Sequence, residues 1–309
     1  MDGATDMTTR PFIEVSEVWV PEGDRLVLSK GTYGDLAEFA SVSERESFAR
    51  GEGLPGKAWD EGRPVVLKEF DGSYFKRTEA AKAAGLTAAV AIPVFAGTQL
   101  KAVLVTLCSD DDSRMGAIEV WSGEGNMLTL EDGYYGAAKQ FEFVSQHVHF
   151  QRGQGLPGGV WGANTPLLFR DLGAGYKFVR SESAGRAGLT WGLGLPLPSP
   201  TGRPYVLTLL TATGTPLARR FEIWDARAAR VGTANEAVLI DGICAREGSL
   251  YDHDTERRIK AFQGPIGQVL GTGLPVVDAS AAGQHGYRTL VALPIHSSRE
   301  VTHVVAWYC

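Results

Sequence analysis

Apolar and polar residues alternate near the start of the chain, and the alternation predicts a β-hairpin. Apolar side chains recur every two or three positions from Phe12 to Val20, and a second apolar run occupies 26–28. A period near two is typical of a strand with one buried face. The polar stretch 21–24, with the sequence Pro-Glu-Gly-Asp, is a turn signal. The pattern therefore predicts a strand, a turn and a second strand.

Two short helices and three more strands are predicted in the next eighty residues. The Gly-Leu-Pro-Gly sequence at Gly53 opens a helix that ends before Gly62, with proline near the first helical position. Gly85 ends the other helix as a C-terminal cap residue. Segment 34–50 fits either extended chain or a short helix. The remaining predicted elements are a strand at 64–67, a helix at 74–84, and strands at 88–95 and 101–108.

Blocks of sequence recur about a hundred residues apart. The tripeptide at Glu17 returns 102 residues later at Glu119 and, with Ile in place of Val, 103 residues further on at Glu222. The block Phe48 to Gly56 returns as Phe150 to Gly158. Several blocks in one order at one spacing indicate internal duplication. We divide the chain into three repeats, 11–115, 116–219 and 220–309.

The order of these motifs resembles that of a GAF domain. The residues that carry the resemblance in the first repeat are Val18-Trp19, Gly23 to Leu26, Gly53 to Trp59, Arg63 to Val66, Phe75 to Arg77, Ala84 to Leu86 and Ile92 to Val94. The resemblance covers nearly all of the first two repeats. It implies an α+β fold in which each repeat has a mainly antiparallel sheet, short crossover helices and a ligand pocket between them. It also implies signalling through small-molecule binding rather than catalysis.

The chain departs from the family in lacking long terminal helices, because only the short polar junctions 110–116 and 213–220 separate the repeats. One face of each sheet then needs another cover. We expect either sheet-to-sheet packing of the repeats as one rigid body or a homodimer through exposed sheet faces. No output domain is recognisable, so a separate output protein is an expected partner.

Matching aromatic and arginine residues suggest a ligand site in the first two repeats. Arg77 and Arg180 are 103 positions apart, and each follows a phenylalanine by two residues. A guanidinium beside aromatic rings is suited to clamp a carboxylate, nitrate or phosphate. The alternative is that each arginine pins the crossover helix to a nearby acid, Asp71 or Glu79 in the first repeat and Asp171 or Glu182 in the second. The predicted ligand-binding residues are Tyr74, Phe75, Arg77, Tyr176, Phe178, Arg180 and Trp191.

The third repeat is shorter than the others. Only 18 residues separate Pro275 from Leu293, whereas 28 separate Pro64 from Ile92. The difference predicts that the third repeat has lost the crossover helix and the Phe-x-Arg pair, and that it has no ligand pocket.

Composition excludes several classes of function. The formal net charge is −6 and no dense Lys/Arg run is present, so a nucleic-acid partner is not expected. The longest apolar stretch, near Leu86 to Ala96, contains Pro93 and is too short to span a membrane. Three cysteines without a CxxC pair or a signal peptide are typical of a reduced cytoplasmic protein.

No catalytic, cofactor or metal site is predicted. The sequence Gly51 to Gly56 fits GxGxxG, but a dinucleotide site needs a βαβ unit and an acidic residue further on. A turn at the start of a helix explains these glycines better. No Ser/His/Asp or paired-carboxylate arrangement recurs between repeats. We therefore expect a cytoplasmic sensor that binds a small polar or anionic ligand in its first two repeats. The alternative is a scaffold or regulatory subunit that acts through protein contacts without a ligand.

Overall fold

Three antiparallel sheets, one in each repeat, make up most of the molecule. The computed structural model describes residues 12–109, 114–174, 177–227, 235–252 and 255–309. The first repeat contains β1 (Ile13–Glu22), β2 (Arg25–Thr32), α1 (Ala37–Ser43), β3 (Ser47–Ala49), α2 (Gly53–Glu61), β4 (Val65–Leu67), α3 (Thr78–Ala83), β5 (Ala88–Ala96) and β6 (Gln99–Cys108).

The other two repeats follow the same order of elements, with small changes in the third. The second contains β7 (Met115–Glu124), β8 (Met127–Gly136), α4 (Lys139–Gln146), β9 (Phe150–Gln151), α5 (Gly155–Ala163), β10 (Leu167–Phe169), α6 (Ser181–Arg186), β11 (Leu189–Leu197) and β12 (Tyr205–Ala212). The third contains β13 (Arg220–Asp225), β14 (Glu236–Cys244), β15 (Gly248–Ser249), β16 (Arg258–Lys260), α7 (Gly264–Thr272), β17 (Val276–Asp278), α8 (Ala279–Gln284), β18 (Leu290–Ser297) and β19 (Glu300–Tyr308).

The strand order is the same in each sheet. It is β3-β2-β1-β6-β5-β4 in the first repeat and β9-β8-β7-β12-β11-β10 in the second. In the third it is β15-β14-β13-β19-β18-β17, with β16 also paired to β14. Neighbouring strands are antiparallel throughout. The α+β class and the threefold repetition predicted from the sequence are confirmed.

The glycine-rich block opens a nine-residue helix in every repeat, as the sequence predicts. The helices α2, α5 and α7 end before Gly62, Asn164 and Gly273, which all adopt the left-handed conformation that glycine and asparagine tolerate. A Cβ added to Gly56 would lie 2.1 Å from the carbonyl oxygen of Ala49. The last glycine of GxGxxG is therefore needed for close approach of helix and strand.

The three sheets pack face to face around one hydrophobic core, which we call the central core. Equivalent positions from each sheet meet there, for example Ile92, Leu195 and Leu293. The opposite face of each sheet packs under its own helices in a separate hydrophobic cluster. The predicted sheet-to-sheet packing is confirmed. Both faces of each sheet are thus packed within the chain, and the predicted homodimer stays a prediction.

Three ion pairs at corresponding places join the repeats in a closed ring. Lys68 Nζ lies 3.0 Å from Asp132 Oδ1, between the first and second repeats. The second and third repeats are joined by Arg170 Nη2 and Asp241 Oδ1 at 2.6 Å. Lys30 of the first repeat pairs with Asp278 of the third at 3.3 Å. In this last contact the charges are reversed relative to the other two.

Two predictions about the crossover helices need correction. Helix α3 begins at Thr78 rather than at Tyr74, since the residues before Thr78 form a loop, to which the Thr78 hydroxyl donates at the carbonyl oxygen of Phe75. The third repeat has not lost its crossover helix, since α8 follows β17 directly. It is the loop before the helix that is missing. The described residues between β14 and β16 also contain no helix equivalent to α1 or α4.

Candidate functional site

A buried ion pair joins the crossover loop to the first strand of the first repeat. The Arg77 guanidinium donates from Nη1 to Glu17 Oε1 at 2.5 Å and from Nη2 to Glu17 Oε2 at 2.9 Å. Nη1 also donates to the Ser43 hydroxyl on α1. Both charged side chains are at most 1% exposed. The pair fixes the loop, α1 and β1 to one another, since a bidentate pair restricts both distance and orientation.

The same cluster recurs in the second repeat. Arg180 donates to both carboxylate oxygens of Glu119, at 2.9 Å from Nη2 to Oε2, and to the Ser145 hydroxyl. The hydroxyl of Thr208 donates to Oε2 at 2.8 Å and the Trp121 indole donates to it at 3.1 Å. Burial alone would raise the pKa of Glu119, but Arg180 and these hydrogen bonds outweigh it and lower that pKa.

Aromatic rings surround each buried guanidinium. The central carbon of the Arg77 guanidinium lies 4.8 to 6.0 Å from four ring centroids, which belong to Trp19, Phe39, Phe48 and Phe75. The guanidinium of Arg180 lies 4.5 to 5.6 Å from the equivalent rings of Trp121, Phe141, Phe150 and Phe178. Cation–π attraction adds to the ion pair in such a desolvated setting. The first two repeats thus fill the space between sheet and helices with their own charged side chain.

The internal partner differs from those predicted from the sequence. Asp71 pairs with Lys82, and Glu182 pairs with Arg186, so neither acid holds the arginine of its repeat. The acids that do so, Glu17 and Glu119, open the recurring tripeptide. The recurring tripeptide therefore indicates the acid of each buried ion pair as well as the internal duplication. Because both guanidinium groups already face a carboxylate, the geometry favours a structural role for them over an anion clamp.

The other predicted ligand residues do not form one site with the arginines. Tyr74 lies at the surface, 39% exposed, with Lys57 Nζ 5.0 Å from its ring centroid. Phe75 is buried and stacks on Phe70 at 4.2 Å. Trp191 packs against the central core, on the opposite face of the sheet from Arg180, and so does not share a site with it. Tyr176 lies outside the described residues. Ligand contact by the residues in the helix layer stays a prediction.

The third repeat carries the equivalent carboxylate but neutralises it differently. Glu222 accepts from Arg220 Nε at 2.6 Å and from the Trp224 indole at 2.9 Å. Arg220 lies on the same strand and also donates to Glu247 at 2.6 Å. No arginine from a crossover loop is needed, since that loop is missing here. Arg220 therefore takes the place of the loop arginine as the partner of the carboxylate, and it lies on the wall of the space between sheet and helices.

A cavity of about 240 Å³ occupies this space in the third repeat. The buried Glu222 and Tyr308 lie on its sheet side. The start of α7 and the end of α8 contribute Gln263 and Gln284, and Arg257 adds an exposed guanidinium at the rim. None of the six predicted ligand residues that the structure describes lines this cavity. We expected the pocket in the first two repeats, which retain the loop before the crossover helix. In those repeats the arginine of the loop lies in the space between sheet and helices.

Comparison with known protein families finds a match that covers the first repeat. A family model described as GAF domain matches residues 4–121. No curated protein matches the chain. Among the described residues, no helix has the length and apolar character needed to cross a membrane.

Several solved structures are similar to part of the chain. The A. aeolicus Nlh2 GAF domain in an inactive state is 23% identical, with a TM-score of 0.27 over 32% of this chain and 59% of that chain. Free methionine-R-sulfoxide reductase from Neisseria meningitidis in complex with its substrate is 17% identical, with a TM-score of 0.25 over 31% of this chain and 52% of that one. The chain thus covers less than two thirds of the length of either structure.

Proposed function

We propose that the protein is a non-catalytic sensor for a small polar or anionic molecule, because a GAF domain family model matches residues 4–121. The family consists of small-molecule-binding and signalling domains. The two repeats that follow have the same sheet topology as the first. We further propose that the protein acts in the cytoplasm and passes its signal to a separate output protein.

The cavity in the third repeat is the observation that carries the proposal. It lies over the strand that bears Glu222 and Trp224 and against the start of α7, and in the first two repeats the equivalent space holds an arginine. At about 240 Å³ it is smaller than the roughly 300–1,000 Å³ of pockets for drug-sized ligands. We therefore propose a small metabolite as the ligand.

The lining groups indicate which chemistry the ligand has. Arg257 offers a charged donor for a carboxylate or another oxyanion, because its guanidinium lies at the rim. The amides of Gln263 and Gln284 can both donate and accept hydrogen bonds. Tyr308 and Trp224 provide an apolar wall on the sheet side. A small carboxylic acid with a second polar group fits this set, and an amino acid is one such molecule.

Thermal-shift and calorimetric titrations with amino acids and small organic acids test the proposal. A compound that binds the folded protein raises its melting temperature by mass action. We expect Arg257→Gln to weaken binding at least tenfold. The neighbouring Arg258→Gln is the matched control, since Arg258 is exposed and pairs with Glu256 outside the cavity. Absence of binding, or equal binding by the two variants, would overturn the assignment.

One observation favours a scaffold as the second candidate. The helix layers of the first two repeats are filled by Arg77, Arg180 and their aromatic rings. If no compound of these classes shifts the melting temperature, the protein acts through its surfaces and the sensor proposal fails.

A further inference from the structure

A second, larger cavity lies where the hairpins of the three sheets meet at one end of the molecule. It measures about 540 Å³, and we call it the inter-repeat cleft. Its walls are the β11–β12 hairpin with Pro198 to Tyr205, the β18–β19 hairpin with Ile295 to Ser298, and the β5–β6 turn at Gly97. Residues around α5 complete it. The cleft therefore exists only because three repeats are packed together, and no single repeat contains it.

The charged side chains that line the inter-repeat cleft are all cationic. Arg152, Arg203 and Arg227 contribute guanidinium groups, and no Asp or Glu is among the described lining residues. Asp225 and Glu131 offset part of this charge from outside the lining, and the remaining positive potential is concentrated by the low-dielectric walls of the cleft. Hydroxyl groups of Ser199 and Thr302 add neutral hydrogen-bonding capacity. This is the composition of a site for an anion.

Each guanidinium is held in place by contacts with neighbouring side chains. Arg152 lies over the Trp161 ring at 4.4 Å. Arg203 donates to the Ser122 hydroxyl at 2.9 Å and is 3.5 Å from Glu131. Arg227 pairs with Asp225 at 3.0 Å. Such contacts reduce the side-chain entropy that an anion would otherwise have to overcome on binding.

His296 supplies a buried polar group on the wall of the cleft. It is only 6% exposed, and its Nδ1 has no hydrogen-bond partner among the described residues. The equivalent positions in the other repeats are the apolar Phe95 and Pro198, as the shared Leu-Pro or Ile-Pro dipeptides show. Burial, assisted by Lys101, lowers the pKa of His296 to about 4, so the ring is neutral at pH 7. A buried ring nitrogen without a partner is costly unless something bonds to it.

We infer that the inter-repeat cleft binds an organic molecule that carries a multiply charged oxyanion. Three guanidinium groups suit a group with two or more negative charges, such as a phosphate ester or a polycarboxylate. A volume of about 540 Å³ exceeds the needs of an inorganic ion and lies within the roughly 300–1,000 Å³ typical of small-molecule sites. This site is separate from the cavity of the third repeat and does not depend on the function proposed for it.

Calorimetric titration at low ionic strength tests the inference, with ribose 5-phosphate, AMP and citrate as probes. Binding of the two phosphate esters without citrate identifies a phosphate site, and the reverse identifies a polycarboxylate site. We expect affinity to fall as salt is raised, because screening weakens exposed charge pairs. If none of the three probes binds to the wild-type protein, the inference is wrong.

Two variants locate the binding. The double substitution Arg203→Gln with Arg227→Gln is expected to weaken binding at least tenfold. Ser298→Asp places a carboxylate in the cleft without removing any guanidinium, and aspartate tolerates the positive φ of 57° found there. It is expected to abolish binding while leaving the melting temperature unchanged. Arg50→Gln, which removes an exposed arginine of the first repeat, is the control and should bind as the wild type does. Unchanged binding by Ser298→Asp would overturn the inference.

Discussion

The buried cluster of the second repeat allows a sharp stability prediction for Arg180→Met. Glu119 is fully buried and accepts five hydrogen bonds, of which Arg180 donates two. Methionine keeps most of the length of arginine and removes its charge. The variant then holds an unpaired buried carboxylate, and breaking a buried pair in this way costs about 3–5 kcal/mol. We expect a loss of that size in the free energy of unfolding, measured by urea denaturation at pH 7.

A double-mutant cycle separates the ion pair from the other effects of the substitution. Glu119→Gln combined with Arg180→Met removes both charges and leaves neutral groups for Trp121 and Thr208 to donate to. The double variant should be more stable than Arg180→Met alone, with a coupling free energy above about 2 kcal/mol. Lower pH should also reduce the deficit of Arg180→Met. Without the arginine, burial raises the pKa of Glu119 above its unfolded value, so the protonated carboxyl is favoured in the fold as pH falls.

The first repeat offers a matched comparison. Glu17 pairs across the sheet with Val105, whereas Glu119 faces Thr208 at the equivalent position. Glu17 thus has one hydroxyl donor fewer, and Arg77→Met should destabilise the protein at least as much as the second-repeat variant. A loss below about 1 kcal/mol in either repeat, or strict additivity in the cycle, would refute the reasoning that buried charge dominates these clusters.

Three further predictions follow from burial and close approach. His296 and His303 both have a pKa lowered to about 4, chiefly by burial and further by Lys101 and Arg227 respectively, with Asp225 opposing the shift at His303. The unfolded chain therefore takes up protons first, and stability should fall by up to about 3 kcal/mol per histidine between pH 6.5 and pH 4. A flat stability profile across that range would contradict this. Gly56→Ala should cost more than about 2 kcal/mol in urea denaturation, because its Cβ would meet a backbone oxygen at 2.1 Å. The control Gly283→Ala on α8, with open space around the added Cβ, should be neutral or stabilising. The three cysteines are buried and should react with a thiol reagent only on unfolding, so fast labelling of the native protein would count against the described core.

The fold was largely predictable from local patterns in the sequence. The alternation after Phe12, the turn at 21–24 and the glycine block at Gly53 each encode an element through short-range chemistry. Because the tripeptide at Glu17 recurs twice, the elements predicted for the first repeat could be assigned to the other two as well. Sheet-to-sheet packing also followed, because missing terminal helices leave an apolar face that must be covered.

The site was harder to predict because it depends on contacts between distant residues. Arg77 and Glu17 are sixty positions apart, and nothing local indicates that they meet. The missing loop in the third repeat suggested a missing pocket. In the fold, that loop carries the side chain that fills the space, so its loss is what leaves the cavity open. The inter-repeat cleft lies between repeats and has no signature within any one of them.

The closed ring of three sheets also bears on how the repeats are told apart. Each repeat has one apolar sheet face, and the other two repeats cover it in the central core. The charges at the three contacts differ between repeats. The second repeat carries both halves of an attractive pair, Asp132 and Arg170, whereas three copies of the first would set Lys68 against Lys30. The three contacts are therefore not interchangeable, and the ion pairs assign each repeat its place in the ring.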